Sequence, residues 1–218
     1  MEQIEIKNMK ENRKIGKVVC VGRNYAAHAK EMGNDIPDFP IIFLKTATCL
    51  IPSGGEVVHP DYSDELHHEV ELVLLIGNEV KNGTEEEAEN AIAGYCVGLD
   101  MTLRDLQNES RKTGEPWTLA KVFDTSGVVT PVVLKSEYQL RGDEKIFLKV
   151  NNKTRQESSL DKMLFNAVAT IQHISKKMTL EEGDLVFTGT PEGVGRVIPG
   201  DKLCGGIENI GEIEATIV

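Results

Sequence analysis

Hydrophobic and polar positions along this chain fall mostly into short runs of β-branched and aliphatic residues. KVVCVG (17–22), PIIFL (40–44), EVVH (56–59), HEVELVLLIG (68–77) and IAGYCVGLDM (92–101) come first. VVTPVVL (128–134), KIFLKVN (145–151), DLVFTG (184–189), KLCGGIENI (202–210) and GEIEATIV (211–218) follow. Glycine, proline, asparagine and aspartate stand at nearly every junction, the pattern of strands closed by turns. Helical spacing is rarer. Residues 160–178, LDKMLFNAVATIQHISKKM, place Leu160, Met163, Leu164, Ala167, Ile171 and Ile174 on one face and predict an amphipathic helix beginning after Ser159. His173 on that helix reads as structural. Shorter helices are predicted after Thr84, which forms a capping box with Glu87, after Thr102 through LRDLQNESRK, and over AAHAKEM (26–32), closed by Gly33. Strands and helices do not alternate regularly, which argues against a doubly wound parallel sheet. The expected fold is mixed and mainly antiparallel, a mainly β roll or sandwich with helices packed outside.

One strand carries an anomaly. In LHHEVELVLLIG (66–77) the alternation of a strand puts His67, Glu69 and Glu71 on one face. An exposed strand explains such a pair by facing it to water. The following VLLIG, however, is apolar on both faces, which suits a strand entering the interior. Close interior carboxylates repel one another unless a cation or protons intervene. A third acid, Asp100, ends IAGYCVGLD just before TLRDLQNES. Alone it reads equally well as a helix-flanking residue. With Glu69 and Glu71 it supplies three hard oxygen donors, which suit Mg2+ or Mn2+ better than zinc and leave about three octahedral positions open.

Other segments add candidate chemistry. In GRNYAAHAKEM, His28 and Glu31 are spaced i, i+3 and share a helix face, where a carboxylate orients an imidazole for base catalysis. A solvated pair on a short surface helix is the plainer alternative. Pro37 and Pro40 after Gly33 place this helix in a loop excursion suited to a lid. KTGEPWTLAKVFDTSG holds Lys121, and LRDLQ holds Arg104 and Gln107, groups able to hold carboxylates or neutralise an oxyanion. TGTPEGVG (188–195) is glycine-rich but lacks the Lys-Ser/Thr of a phosphate-binding loop.

Composition narrows the classes. The 218 residues show no linker or composition shift, so one domain is expected over 1–218, with 1–16 as a short N-terminal extension. A net charge of −11 argues against nucleic acid and anionic membrane as partners. Four widely spaced cysteines without a C-x-x-C pair read as buried thiols in a reducing compartment. The N-terminal MEQIEIKNMKENRK has no apolar signal core, and no apolar stretch approaches a membrane span, so a cytoplasmic location is expected.

VGRNYAAHAKEM, FLK, LHHEVELVLLIG, GLDMTLRDLQ, PWTLAKVFDTSG, LEEGDLVFTGTPEGVG and GDKLCGGIENIGEI, in this order, resemble the fumarylacetoacetate hydrolase family. The likeness is greatest to its single-domain acylpyruvate hydrolase and oxaloacetate decarboxylase branch. The resemblance implies a β-roll of the family's C-terminal-domain type, a homodimer and an Mg2+ or Mn2+ site. It implies Glu69, Glu71 and Asp100 as metal ligands, His28 and Glu31 as a catalytic dyad on a lid, and Lys121 beside the substrate's oxygens. It places Thr190 on the substrate carboxylate, Arg104 and Gln107 at the substrate's variable end, and Arg23, Tyr25 and Lys45 among the substrate contacts. Thr46 departs from the proline that many relatives carry after this lysine. The implied reaction is C–C cleavage in a small anionic 2-oxo acid such as an acylpyruvate, with oxaloacetate decarboxylation beside it. Keto-enol tautomerisation of oxaloacetate, 2-hydroxyhepta-2,4-diene-1,7-dioate isomerisation and a non-catalytic metal-binding β domain are the alternatives.

Overall fold

In the computed structural model, which describes every residue except Lys10 and Asn34, the apolar runs pair into two principal sheets. The larger runs in the order Ile41–Lys45, Val18–Gly22, Leu185–Phe187, Val70–Ile76, Ile92–Asp100, Gly127–Val129, Leu50–Pro52, with Val133–Leu134 also on the Ile92–Asp100 strand. The second runs Lys153–Ser159, Lys145–Val150, Lys202–Ile207, Gly211–Ile217, Glu56–Val57. Most neighbours are antiparallel. Leu185–Phe187 is parallel to Val18–Gly22, Gly127–Val129 to Leu50–Pro52, and Gly211–Ile217 to Glu56–Val57. This is the mainly β roll expected from the strand pattern. No helix among the described residues is long and apolar enough to cross a membrane.

The period-two alternation decides the layering. Val19, Val21, Leu72, Leu74, Val97 and Leu99 join Ile146, Leu148, Leu203 and Ile213 of the second sheet in one core cluster. Their sequence neighbours Val18, Cys20, Val73, Leu75 and Cys96 point the other way, into a cluster with Ile4, Ile6 and Ile15. The strand Val70–Ile76 is therefore apolar on both faces because both faces are covered. Residues 1–16 form more than an appendage: their hairpin, Gln3–Glu5 against Asn12–Lys14, closes one of those faces. Full burial of each such aliphatic side chain contributes about 1.5–3 kcal/mol.

Two expectations change. The helix expected over 160–178 is a 3-10 turn, Leu160–Lys162, followed by an α-helix only from Ala167 to Ser175. Asn166 caps that helix by accepting the Ala169 N–H at 2.9 Å. The intervening chain bends at Leu164 and Phe165 and is held there by Asn24, whose side chain donates to Phe165 O at 2.8 Å and accepts the Phe165 N–H at 2.8 Å. The Asn24 carbonyl also accepts the Leu164 N–H at 2.7 Å. The second change is a strand that hydropathy does not announce, Lys153–Ser159, in which Gln156 is fully buried. The Thr84 capping box forms as the spacing predicts, and Gly114, with φ +76°, ends the helix Arg104–Thr113. His173 stacks on Phe39 with ring centroids 6.1 Å apart.

Asn24 is fully buried and also donates to Thr188 O at 2.7 Å. Asn24→Ala is expected to lower stability by about 2–4 kcal/mol, because it leaves buried backbone groups unpaired. The measurement is a denaturant midpoint at unchanged slope; a loss below about 1 kcal/mol would show that the Met163–Phe165 segment holds its course without this side chain.

Candidate active site

Glu69 lies at the break between the strands Leu66–His68 and Val70–Ile76, Glu71 lies within the latter, and Asp100 ends the neighbouring strand. The register pairs Val70 with Leu99 and Glu71 with Gly98, and the Asp100 N–H donates to Glu69 O at 2.8 Å. Alternation within one strand and adjacency across to the next thus bring three carboxylates together. Their oxygens all lie within 4.8 Å of one another, and all three residues are buried. His67, which strict alternation would add to this face, pairs instead with Glu65 at 3.0 Å.

The surrounding cations are distributed unequally. Lys121 Nζ lies 2.7 Å from both Glu69 Oε2 and Asp100 Oδ2 and donates to Thr102 Oγ1 at 2.6 Å. Arg104 Nη2 pairs with Glu69 Oε1, and its Nη1 donates to Gln107 Oε1. Burial works to raise the Glu69 pKa, but Lys121 and Arg104 outweigh it and hold the carboxyl far below its usual range. Burial likewise opposes the Lys121 ammonium, yet the Asp100 and Glu69 charges raise its pKa. Glu71 accepts the Gly189 N–H at 2.7 Å and has no cation in contact among the described residues. Burial, then the charges of Asp100 and Glu69, push its pKa well up. Three clustered hard donors, one with uncompensated negative charge, fit a divalent cation of the Mg2+ or Mn2+ type.

The helix Ala26–Glu31 brings His28 over this cluster. His28 Nδ1 is 3.3 Å from Glu31 Oε2, leaving Nε2 for a substrate, and the Gly193 N–H donates to both Glu31 oxygens at 3.1 Å. Gly193 has φ +92°, and a Cβ there would stand 1.9 Å from Arg155 O, so only glycine fits. Burial lowers the His28 pKa against the raising influence of Glu69 and Glu31, so the ring is neutral at pH 7.

His28, Glu69, Glu71 and Lys121 open on one narrow cleft, which Arg23, Arg104, Gln107 and Thr190 also line. Thr190 is bound to the protein: its hydroxyl donates to Val70 O at 2.9 Å and accepts from Gln156 Nε2 at 2.8 Å. Arg104 spends both terminal nitrogens on protein partners, Nη2 on Glu69 and Nη1 on Gln107, while its Nε has no partner among the described residues. Lys45 does not line this cleft. It is buried behind Asp100, 3.0 Å from Oδ1, and donates to the Ser126 hydroxyl at 2.9 Å and to the carbonyls of Ser126, Met101 and Lys121. Tyr25 does not line it either: the residue is fully buried, and its hydroxyl has no hydrogen-bond partner among the described residues. Phe43, Arg111 and Trp117 line the cleft without having been singled out from the sequence. Arg111 was within reach, since it follows Gln107 at i+4 on the face begun by Arg104.

A family model described as "Fumarylacetoacetate (FAA) hydrolase C-terminal" matches residues 17–218. The chain belongs to the fumarylacetoacetate hydrolase family. Members of this family are enzymes. "Oxaloacetate tautomerase FAHD1, mitochondrial" of Arabidopsis thaliana is 46% identical over 198 residues, covering 91% of this chain and 89% of that protein. The crystal structure of fumarylpyruvate hydrolase from Pseudomonas aeruginosa in complex with Mn2+ and pyruvate matches with a TM-score of 0.96 and 39% identity, covering 99% of this chain and 95% of that one. 5-Carboxymethyl-2-hydroxymuconate delta-isomerase from Mycobacterium smegmatis matches with a TM-score of 0.83 and 36% identity, over 95% and 80% of the two chains. Across this family, then, hydrolase, tautomerase and isomerase names attach to one fold, and Mn2+ is bound in one of these relatives.

In chelator-treated protein, Glu71→Gln is expected to raise the thermal midpoint, because it removes a charge repelled by Asp100 and Glu69. The difference from wild type should shrink as pH falls from above the raised folded pKa toward the ordinary 4.5, where the native Glu71 takes up its proton. Added Mn2+ should raise the midpoint of wild type but not of this variant; equal rises would remove Glu71 from the ligand set. Lys121→Met should lower the stability of chelated protein by about 1.5–3 kcal/mol, read as a denaturant midpoint, and not by the larger cost of a stranded charge, since Arg104 still faces Glu69 and Lys45 still faces Asp100.

Proposed function

We propose that the chain is an Mg2+- or Mn2+-dependent enzyme that cleaves the C–C bond of small β-dicarbonyl 2-oxo acids, acylpyruvates foremost, releasing pyruvate. One juxtaposition carries the reading: a neutral His28, oriented by Glu31, opens on the same cleft as Glu69, Glu71 and Lys121. Glu69, Glu71 and Asp100 would hold the ion, whose chemistry here is Lewis acidity toward a developing enolate oxygen. His28 takes a proton from water as that water adds to the distal carbonyl. The C–C bond then breaks, its electron pair passing into the pyruvate enolate, and a carboxylic acid departs. Lys121, kept protonated by its carboxylates, adds positive charge beside the enolate oxygen. The enolate is finally protonated at carbon, for which the His28 imidazolium is the nearest identified acid. We place this activity in one domain over the whole chain, working as a homodimer, as the resemblance implies.

A second reading has its own support. The A. thaliana relative named oxaloacetate tautomerase is more identical to this chain than the fumarylpyruvate hydrolase is, at 46% against 39%. On oxaloacetate no water need attack: His28 would carry a proton between carbon and the enol oxygen, and loss of CO2 would lead to the same pyruvate enolate.

The deciding experiment follows the ultraviolet absorbance of acetylpyruvate enol with metal-stripped protein, with and without Mg2+, and quantifies pyruvate at the end point; oxaloacetate enol is followed in parallel. Metal-dependent decay with matching pyruvate is the expected result. Decay of oxaloacetate enol alone, without pyruvate, would replace hydrolysis by tautomerisation.

The pH profile tests the base. Because burial lowers the His28 pKa, hydrolysis should persist below the ordinary 6.5 and fall only as pH drops through the lower folded value. His28→Ala should reduce the rate by about 10²–10⁴-fold and abolish that acid limb; an unchanged limb in the variant would assign the base elsewhere.

A further inference from the structure

Gln156 is fully buried on a strand, Lys153–Ser159, whose other side chains mostly meet solvent. The ladder with Lys145–Val150 is bulged there: Leu148 pairs with Gln156 and Lys149 with Thr154, so Arg155 is the extra residue. The Arg155 carbonyl presses on the glycine-rich turn, 1.9 Å from where a Gly193 Cβ would stand. An aliphatic side chain would pack at such a position without needing partners. A buried amide needs its hydrogen bonds met.

Backbone groups fix which way each of these polar groups faces. The Val70 N–H can only donate, at 3.1 Å, and Pro191 O can only accept, at 2.8 Å, so the two ends of the Gln156 amide are told apart by their partners. The second amide hydrogen goes to Thr190 Oγ1 at 2.8 Å, and the Thr190 hydroxyl in turn donates to Val70 O at 2.9 Å. His68 carries a hydrogen on Nδ1 and donates it to the amide oxygen at 3.0 Å. The oxygen thus holds His68 and Val70, the residues on either side of Glu69, at the break between their two strands. The nitrogen holds Thr190 and Pro191, in the turn whose Gly189 N–H goes to Glu71 and whose Gly193 N–H goes to Glu31. Gln156 itself does not line the cleft.

We propose that Gln156 is a positioning residue for the reaction: through the main chain on both sides of Glu69 and through the 188–195 turn, it sets the spacing between the carboxylate cluster and the His28–Glu31 dyad. The inference rests on the reading of the cleft as a metal-dependent site with His28 as its base.

The test is Gln156→Met, which keeps the length of the side chain and removes all four hydrogen bonds. In calorimetric titration of metal-stripped protein with Mn2+ alone, its affinity should fall about tenfold or more, the scale of a lost outer contact around a metal ligand. At saturating Mg2+, kcat on acetylpyruvate should fall about 10²-fold, the scale of a misplacement near 1 Å, with KM held within about threefold. A lowered thermal midpoint with wild-type Mn2+ affinity and wild-type kcat would reduce Gln156 to a structural role and overturn the proposal. If Gln156→Met does not fold, Thr190→Val, which removes the hydroxyl joining Gln156 to Val70 O, decides the matter. A kcat loss of about tenfold at unchanged KM supports the positioning role; an unchanged kcat, or a raised KM alone, overturns it. Wild type that binds Mn2+ but turns over neither acetylpyruvate nor oxaloacetate would overturn the enzyme reading, with a loss of Mn2+ affinity in Gln156→Met still supporting the placement of the acids. Wild type that binds no Mn2+ would overturn both.

Discussion

Three carboxylates buried within 4.8 Å of one another repel strongly, and much of the surrounding structure answers to that constraint. Lys121 bridges Glu69 and Asp100, Arg104 takes the far oxygen of Glu69, and Lys45 stands behind Asp100. These three cations come from a short helix, a longer helix and an edge strand, so the charge balance ties distant parts of the chain together. Glu71 alone among the three acids lacks such a partner within contact among the described residues, an imbalance that a divalent ion would offset.

The glycine-rich segment 188–195 translates that constraint into geometry. Gly189 donates to Glu71, Thr190 ties to Val70, and Gly193 donates to Glu31. One turn therefore touches the carboxylate cluster and the dyad together. Gln156 completes the connection from the second sheet: its amide donates to Thr190 and Pro191 O, and its oxygen accepts from Val70 N–H and His68 Nδ1. All of its hydrogen-bonding capacity goes to holding the acid-bearing strand against this turn. A polar strand with no hydropathy signal, placed by its ladder with Lys145–Val150, is thus tied to the site by a single buried amide.

Much of the architecture was legible because burial on both faces leaves a plain mark. The run VLLIG announced a doubly covered strand, and the Thr84 to Glu87 spacing announced a cap that forms as expected. The 160–178 segment misled because helical periodicity there coincides with an Asn24 bridge from 141 residues away, which no local pattern records. Likewise Tyr25 and Lys45 sit in motifs beside cleft residues yet do not line the cleft: Lys45 shares a strand face with Phe43 but stands behind Asp100, a position set by packing and not by alternation.

The sequence by itself determined the strand-rich class, the pairing of Glu69 with Glu71 on one face, the i, i+3 contact of His28 with Glu31, and the family, since these depend on local periodicity and ordered motifs. Only the tertiary structure decided that Asp100 joins the two glutamates, that Lys121 lies between acids 21 and 52 residues away, and that Arg23 and Arg111 line the same cleft. Strand register and long-range charge pairing set those distances, and both are properties of the folded chain as a whole.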